Sequence, residues 1–277
     1  MAHEPKSKPK KIAAKGEADV RERLRRLGLF GLEASYEKIR SERWLPEMLE
    51  TEEAERRRRS LERRMRNARI GRFRPMADFD WKWPKKIDRE LVEEVLRLDF
   101  FGDGANVILV GGNGVGKTMI AQNIAHQAVV SGRSVRMVTA SELLCDLGSK
   151  DTTPALTRAV RRYTRPHLLV VDEVGYLAGT TQHADLLFEV VNRRYQEEKP
   201  IVVTTNKPFK EWNQVFPSAG SVVTLVDRLV HRSEIIRIDA GSYRNHKAQE
   251  RERRRHRGRT SKGTTGEATA ETPGSSE

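Results

Sequence analysis

One eight-residue segment, Gly111-Gly112-Asn113-Gly114-Val115-Gly116-Lys117-Thr118, constrains this chain more than any other. It follows the apolar run Val107-Ile108-Leu109-Val110 and leads into Met119, Ile120 and Ile124 at helical spacing. A strand, a glycine-rich turn and a helix in that order make a phosphate-binding loop of the G-x-x-x-x-G-K-[ST] type. Glycines let successive backbone N–H groups turn inward on a phosphate, and the helix N-terminus adds its positive end. Lys117 is then placed to meet β- and γ-phosphate oxygens, and Thr118 offers a hydroxyl to Mg2+.

A second segment supplies the other half of such a site. Leu168-Leu169-Val170-Val171-Asp172-Glu173 reads as a buried central strand that ends in two acids. In a parallel sheet that end lies beside the phosphate loop. Asp172 suits Mg2+ through its water shell, while Glu173, directed differently, can polarise a water for attack on the γ-phosphorus. An apolar run ending in acids says little alone, but about fifty residues after a phosphate loop it says a great deal. Adjacent acids with divided tasks favour ATP hydrolysis over phosphoryl transfer to a metabolite. Neither the Arg-rich lid nor the acceptor pocket of a small-molecule kinase is identifiable.

Around these motifs strands and helices alternate, which predicts an α/β fold with a parallel five-stranded sheet and flanking helices. The strands are expected at Asn106–Val110, Ser134–Thr139, Leu168–Val171, Ile201–Thr204 and Ile235–Ile238, with helices starting near Lys117, Ser141, Ala184 and Val222. The N-terminal part differs in character. Residues 1–16 are basic and expected to be disordered, and 17–70 form a small all-helical domain. There Val20, Leu24 and Leu27 mark a first helix, Gly28 and Gly31 interrupt it, and Leu32 to Arg43 make a second. A third runs from about Pro46 to Ala68 with the apolar stripe Ala54, Leu61, Met65 and Ala68. Residues 71–87, broken by Gly71, Pro75 and Pro84, read as a linker. The nucleotide domain then spans 88–245, and 246–277 is a basic, then polar, disordered tail.

Lys and Arg number 52 against 39 Asp and Glu, a net charge of +13 that collects towards the two ends. Such a balance points to a polyanionic partner, nucleic acid being the commonest, unless the ends serve solubility alone. Arg56, Arg59, Arg63 and Arg66 recur at helical spacing and are the candidates for following a DNA backbone. Glu52, Glu53, Glu55 and Glu62 argue instead for an ordinary solvated helix. No helix-turn-helix is evident, so positioning contacts, with readout of DNA shape beside them, are expected rather than sequence readout. The single cysteine, Cys145, excludes an internal disulfide and a Cys-rich zinc site, and reads as a buried small hydrophobe. No apolar run approaches the ~20 residues that span a bilayer. The Lys-rich start also lacks the apolar stretch of a signal peptide. A soluble protein of a reducing compartment, with no membrane partner, is expected.

The stretches Leu168–Leu177, Ile201–Trp212 and Asp227–Arg244 resemble the IstB-like transposition helper ATPases, relatives of DnaC-type helicase loaders and DnaA initiators within the AAA+ group. The resemblance covers roughly residues 20–245 and is specific in DEVGYL and the closing SYR. It implies a sensor role for Asn206, which would help orient the attacking water, and an arginine finger at Arg228, reaching the nucleotide of a neighbouring subunit. It implies a second sensor at Arg244 and no separate C-terminal lid. Phe79 and Trp81 fall where the family's chain approaches the adenine, although linker aromatics also serve to pin a linker to its domain. By the same resemblance the cofactors are ATP and Mg2+, and the setting is a bacterial cytoplasm. The partners are duplex DNA, a transposase and further copies of the chain, assembled with ATP on DNA. Hydrolysis would dismantle that assembly after target DNA is selected or remodelled. Two rivals stay open: a helicase loader whose N-terminal domain grips a helicase, and a DNA-binding scaffold that does not hydrolyse.

Overall fold

In a computed structural model, residues 10–176, 181–216 and 220–263 are described. They form two compact units, divided between Arg63 and Arg64. The first is helical: α1 (Lys10–Arg26), α2 (Phe30–Ala34), α3 (Tyr36–Ile39) and the start of α4 (Trp44–Ala68). Its core gathers Leu24, Leu27, Tyr36, Leu45 and Leu49. Gly28, at φ 65°, takes the left-handed turn that ends α1, as a residue without Cβ does at least cost. The second helix expected over 32–43 is two short ones, parted at Ser35. Of the apolar stripe expected on α4, Ala68 is buried and Leu61 and Met65 are half-buried, and only Ala54 departs from it. Ala54 is exposed, and the helix is anchored in this unit through Leu45 and Leu49 of its first turns.

The second unit continues with α5 (Arg89–Arg97), β1 (Asn106–Gly111), α6 (Lys117–Val130), β2 (Val135–Thr139), α7 (Ala140–Gly148), α8 (Thr153–Thr164) and β3 (Leu168–Asp172). It closes with α9 (Thr181–Gln196), β4 (Ile201–Thr205), α10 (Trp212–Val215), α11 (Ser221–Val230), β5 (Ser233–Ile238) and α12 (Tyr243–Gly263). All five strands are parallel, in the order β2-β3-β4-β1-β5. Every residue of β3 and β4 is buried, as continuous β-branched and Leu runs require in a sheet covered on both faces. β5 lies at an edge, where Glu234 and Arg237 are tolerated. Because β1 pairs with β4 and β5 rather than β2, the chain reverses direction across the sheet. The crevice that such a reversal opens lies at the carboxyl ends of the strands.

Among the helices that escaped the sequence reading are α5 and α8. α5 is capped by Asp88, whose side chain accepts from Leu91 N at 3.0 Å, and α8 by Thr152 with Pro154 in its first turn. Residues 71–87 are not a free linker. Asn123 Nδ2 donates to Arg74 O (2.8 Å), Asn123 Oδ1 accepts from Met76 N (3.0 Å), Trp83 Nε1 donates to Gly241 O (2.9 Å), Lys86 bridges to Asp239, and just before the segment Gln122 Nε2 donates to Ile70 O (2.8 Å). The aromatic and polar groups that punctuate this segment therefore fasten it to the second unit. The disorder expected at 1–16 and 246–277 is also revised, since α1 begins at Lys10 and α12 runs to Gly263. Residues 247–257 contain neither Pro nor any Gly and are rich in Arg and Glu, which suits a helix. The remainder of both ends lies outside the described residues. Cys145 is exposed, because α7 turns Leu143, Leu144 and Leu147 to the core. No helix among the described residues is long and apolar enough to cross a membrane.

One buried cation ties this sheet to its helices. Arg194 of α9 is fully buried and forms no ion pair among the described residues. Its guanidinium donates to the carbonyls of Tyr163, Thr164, Pro166, His167 and Pro200 at 2.7–3.3 Å. Those carbonyls end α8 and lead into β3 and β4, so one side chain closes three chain segments. Replacing Arg194 with Met would leave the carbonyls without donors in a dry site. The expected loss is ~3 kcal/mol of stability, read as a lower urea midpoint for the full chain.

Candidate functional site

The carboxyl ends of β1, β3 and β4 meet around a cavity of about 480 Å3, walled by the turn from β1 to α6, by Glu173, Thr204 and Asn206, and by Tyr243 and Arg244. The turn follows from its residues. Gly116 has φ 108°, and a Cβ there would come within 2.6 Å of the Phe79 ring, so neither the backbone nor the space admits a side chain. α6 starts directly at Lys117, with its first N–H groups facing the loop. Lys117 Nζ donates to the carbonyls of Gly111 and Gly112, 2.6 Å each. Burial holds its pKa below the usual lysine range, opposed by the charges of Asp172 and Glu173. An anionic phosphate in the loop would relieve that desolvation.

On the acidic side, Thr118 Oγ1 donates to Asp172 Oδ1 at 3.2 Å. Thr204, wholly buried on β4, donates its hydroxyl to the same carboxylate oxygen and accepts from Glu173 N at 3.0 Å. Glu173 has φ 63°, a left-handed conformation rare for a side-chain residue, and its carboxylate is exposed to solvent. The strand thus ends by turning its second acid away from the first. Asn206, which also borders the cavity, has a buried Oδ1 that accepts no hydrogen bond. Gly175 faces that atom so closely that a Cβ would stand 1.9 Å away. The hydroxyl of Thr118, at the wall of the cavity, and the carboxylate of Asp172 hydrogen-bonded behind it are hard oxygen donors, a set that fits Mg2+.

The structure therefore brings together the residues of the loop, Gly112, Asn113, Gly114 and Val115 included, with Thr118, Asp172, Glu173, Asn206 and Arg244. Arg244 is exposed at the cavity, and Tyr243 N donates to Gly114 O at 3.1 Å. Phe79 and Trp81 do not border this cavity. Phe79 is buried against Gly116 with Trp81 edge-on at 4.8 Å, and Arg89 lies over Trp81. Arg228 is elsewhere too. It hydrogen-bonds Asn192 Oδ1 and lies over Phe188, 4.8 Å from the ring centre. Of the α4 arginines, Arg56 and Arg59 are engaged by Glu52 and Glu55 at 2.6 Å. Arg63 and Arg66 are exposed, with no ion pair among the described residues. Sequence reasoning missed Thr204, Arg72 and Arg74. The last two wall the cavity from the segment read as linker, and their only signal was their alternation about Phe73.

Residues 30–251 match the family described as IstB-like ATP binding protein. The chain is 31% identical over 211 residues to an ATP-binding protein of insertion sequence IS5376 from Geobacillus stearothermophilus, covering 76% of this chain and 84% of that protein. Its identity to an ATP-binding protein of insertion sequence IS21 from Pseudomonas aeruginosa is 34% over 186 residues, covering 67% and 70%. Among solved structures, DnaI is similar in fold, with a TM-score of 0.51 at 19% identity, over 62% of this chain and 91% of that one. The fold is that of the AAA+ P-loop proteins. Among the described residues only α12 follows β5, and no separate helical lid is present.

The Thr204 hydroxyl can be tested as the support of the Mg2+ side. Thr204→Val keeps the shape and removes the donor. The apparent Mg2+ affinity in a fluorescent-nucleotide titration should fall about tenfold, and Thr204→Ser should restore it.

Proposed function

Because this chain belongs to the IstB-like ATP-binding family, we propose that it is an ATP-hydrolysing transposition helper of an insertion sequence, acting on duplex DNA. The observation that carries this reading is the convergence of Lys117, Thr118, Asp172, Glu173 and Asn206 at the carboxyl edge of one parallel sheet. In this reading the glycine loop and Lys117 hold the triphosphate. Thr118 and Asp172 would hold Mg2+, whose charge would offset that of the phosphates. Glu173, freed from the strand by its left-handed turn, takes a proton from water as the water oxygen bonds to the γ-phosphorus. The bond to the β–γ bridging oxygen breaks, and ADP leaves with its electrons. Asn206, with its unbonded acceptor, orients that water, and Arg244, on the same cavity, supports the triphosphate. Phe79 and Trp81 would shape the edge where the base lies.

Arg228 lies outside its own phosphate cavity, so its role as a finger requires another copy of the chain. ATP bound between copies would then assemble a homo-oligomer on DNA. That assembly would select or remodel the target and recruit a transposase, and hydrolysis would dismantle it. The DNA contacts fall on α4. Among the proposed residues Arg63 and Arg66 carry more of the free charge than Arg56 and Arg59, whose partners are already in place.

Turnover measured with and without duplex DNA, with particle size followed in parallel, tests the reading. Wild type should hydrolyse faster on DNA. Glu173→Gln should lose at least about 100-fold in turnover and remain as a DNA-bound oligomer, and Arg228→Ala should lose turnover without losing nucleotide. Turnover indifferent to DNA, with tight capture of a replicative helicase, would move the chain to the loader class. DNA binding without any phosphate production would make it a scaffold.

The α4 contacts have their own signature. The variant carrying Arg63→Gln and Arg66→Gln should weaken binding to all sequences alike and flatten the plot of log affinity against log salt by about 2. Unchanged slope would assign α4 to ordinary solvation.

A further inference from the structure

A second cavity, of about 670 Å3, adjoins the Mg2+ side of the nucleotide site, and Thr118 and Asp172 form part of its wall. Three guanidinium groups line it, from Arg69, Arg136 and Arg162, with three carboxylates, from Glu142, Asp146 and Asp172. The carboxylates are already engaged. Asp146 accepts from Arg162 and from Tyr163 Oη, 2.7 Å each, and pairs with Lys150 at 3.2 Å. Glu142 closes the cap of α7, accepting from Thr139 N and Thr139 Oγ1 at 3.0 Å. Asp172 holds the hydroxyls of Thr118 and Thr204.

Arg69 and Arg136 therefore line the cavity with no ion pair among the described residues, and the Nε of Arg136 is buried without any acceptor. A buried donor without an acceptor is costly, and the two guanidinium groups repel each other, while Glu142 and Asp146 attract them through space without forming an ion pair. Burial and the nearby charge of Arg69 work against the Arg136 cation, and the charge of Asp146 only partly offsets them. Arg69 adds a backbone cost. It ends α4 at φ 53°, the left-handed position that glycine usually occupies, and so sets an arginine where the chain would be more relaxed without one.

We propose that this cavity is an oxyanion site that receives the inorganic phosphate produced at the nucleotide site, held by Arg69 and Arg136. Guanidinium forks match a tetrahedral oxyanion, and each offers paired N–H donors. The shared wall, Thr118 and Asp172, places this site next to the position where the γ-phosphate is cut. That continuity favours the cleaved phosphate over a phosphodiester arriving from outside. The source of the anion rests on the hydrolytic reading above; its binding does not.

The test uses the full chain with its nucleotide site saturated by Mg2+ and a β,γ-methylene analogue of ATP, so that Lys117 is occupied. Radiolabelled orthophosphate should bind at one per chain, and at least tenfold more weakly to Arg69→Gly and Arg136→Gln, with analogue affinity unchanged. Arg69→Gly should at the same time unfold at higher urea, since glycine relieves the helix end, which separates lost binding from lost structure. No binding to wild type, or equal binding to the variants, overturns the site. Displacement of the label by a short duplex in wild type, absent in the variants, would assign the site to a DNA backbone and overturn the proposed source. In a single turnover of γ-labelled ATP, wild type should keep labelled phosphate after cleavage, and the variants should lose it at least fivefold faster. Cleavage without retention overturns the proposal. Absence of cleavage strikes the hydrolytic reading and the source of the anion with it, leaving the orthophosphate titration to decide the site alone.

Discussion

The hydroxyl of Thr204 meets two demands at once inside a fully buried strand. Its proton goes to Asp172, and its lone pair takes the N–H of Glu173. Asp172 is the last residue of β3, so this one group fixes where the strand stops and how the chain leaves it. Because the Glu173 amide is bonded sideways to β4, the residue turns to φ 63° and its carboxylate emerges into solvent. Two neighbouring acids are thereby given different surroundings: one buried among hydroxyls, the other free beside the cavity. In a parallel sheet both must stand at the edge where the β1 turn presents its N–H groups. The geometry of the whole site depends on that small network more than on any single charge.

A similar economy governs the rest of the second unit. Arg194 saturates carbonyls at a helix end and at two strand starts, where backbone ladders cannot reach. Burial draws its pKa down to about 9, opposed by the charge of Glu197, while five carbonyls accept its N–H groups. Buried polar groups here are satisfied by donors from distant segments, and this makes the exceptions informative. Among the described residues, the buried side-chain atoms without partners belong to Arg136, Arg194 and Asn206. Arg194 has its other nitrogens fully engaged. The remaining two border the cavities on either side of Thr118.

Most of the sheet was legible because its strands are apolar runs bounded by turn residues, and because the glycine loop fixes a strand before it and a helix after it. The Lys117, Thr118, Asp172 and Glu173 constellation was legible for the same reason: motif and context coincide. Thr204 was not, since a threonine in a β-branched strand looks like any other, and only pairing of β3 with β4 sets it beside Asp172. α8 was hidden by its polarity, with four arginines among its last residues and the turn after it masking an apolar face of Ala159, Val160 and Tyr163. The segment 71–87 carried Gly and Pro signals that are right about chain direction but silent about attachment. Its fastening is by side chains of α6 and by Asp239 and Gly241, far away in sequence. Composition likewise overstated the charge on α4, because it counts arginines without their i−4 partners.

Arg228 shows how such a fold can separate recognition from chemistry. Its guanidinium hydrogen-bonds Asn192 and lies over the ring of Phe188, both on α9. An aromatic face and a neutral amide hold a cation in place without cancelling its charge. A carboxylate partner would have done so, and would have to be broken before the arginine met a phosphate. The contacts observed leave the full positive charge available at the surface of α11, away from the chain's own Lys117. If the charge is spent on a nucleotide, as proposed above, that nucleotide belongs to another copy. The same chain would then need assembly to complete a site that its own sheet has already built on the other side.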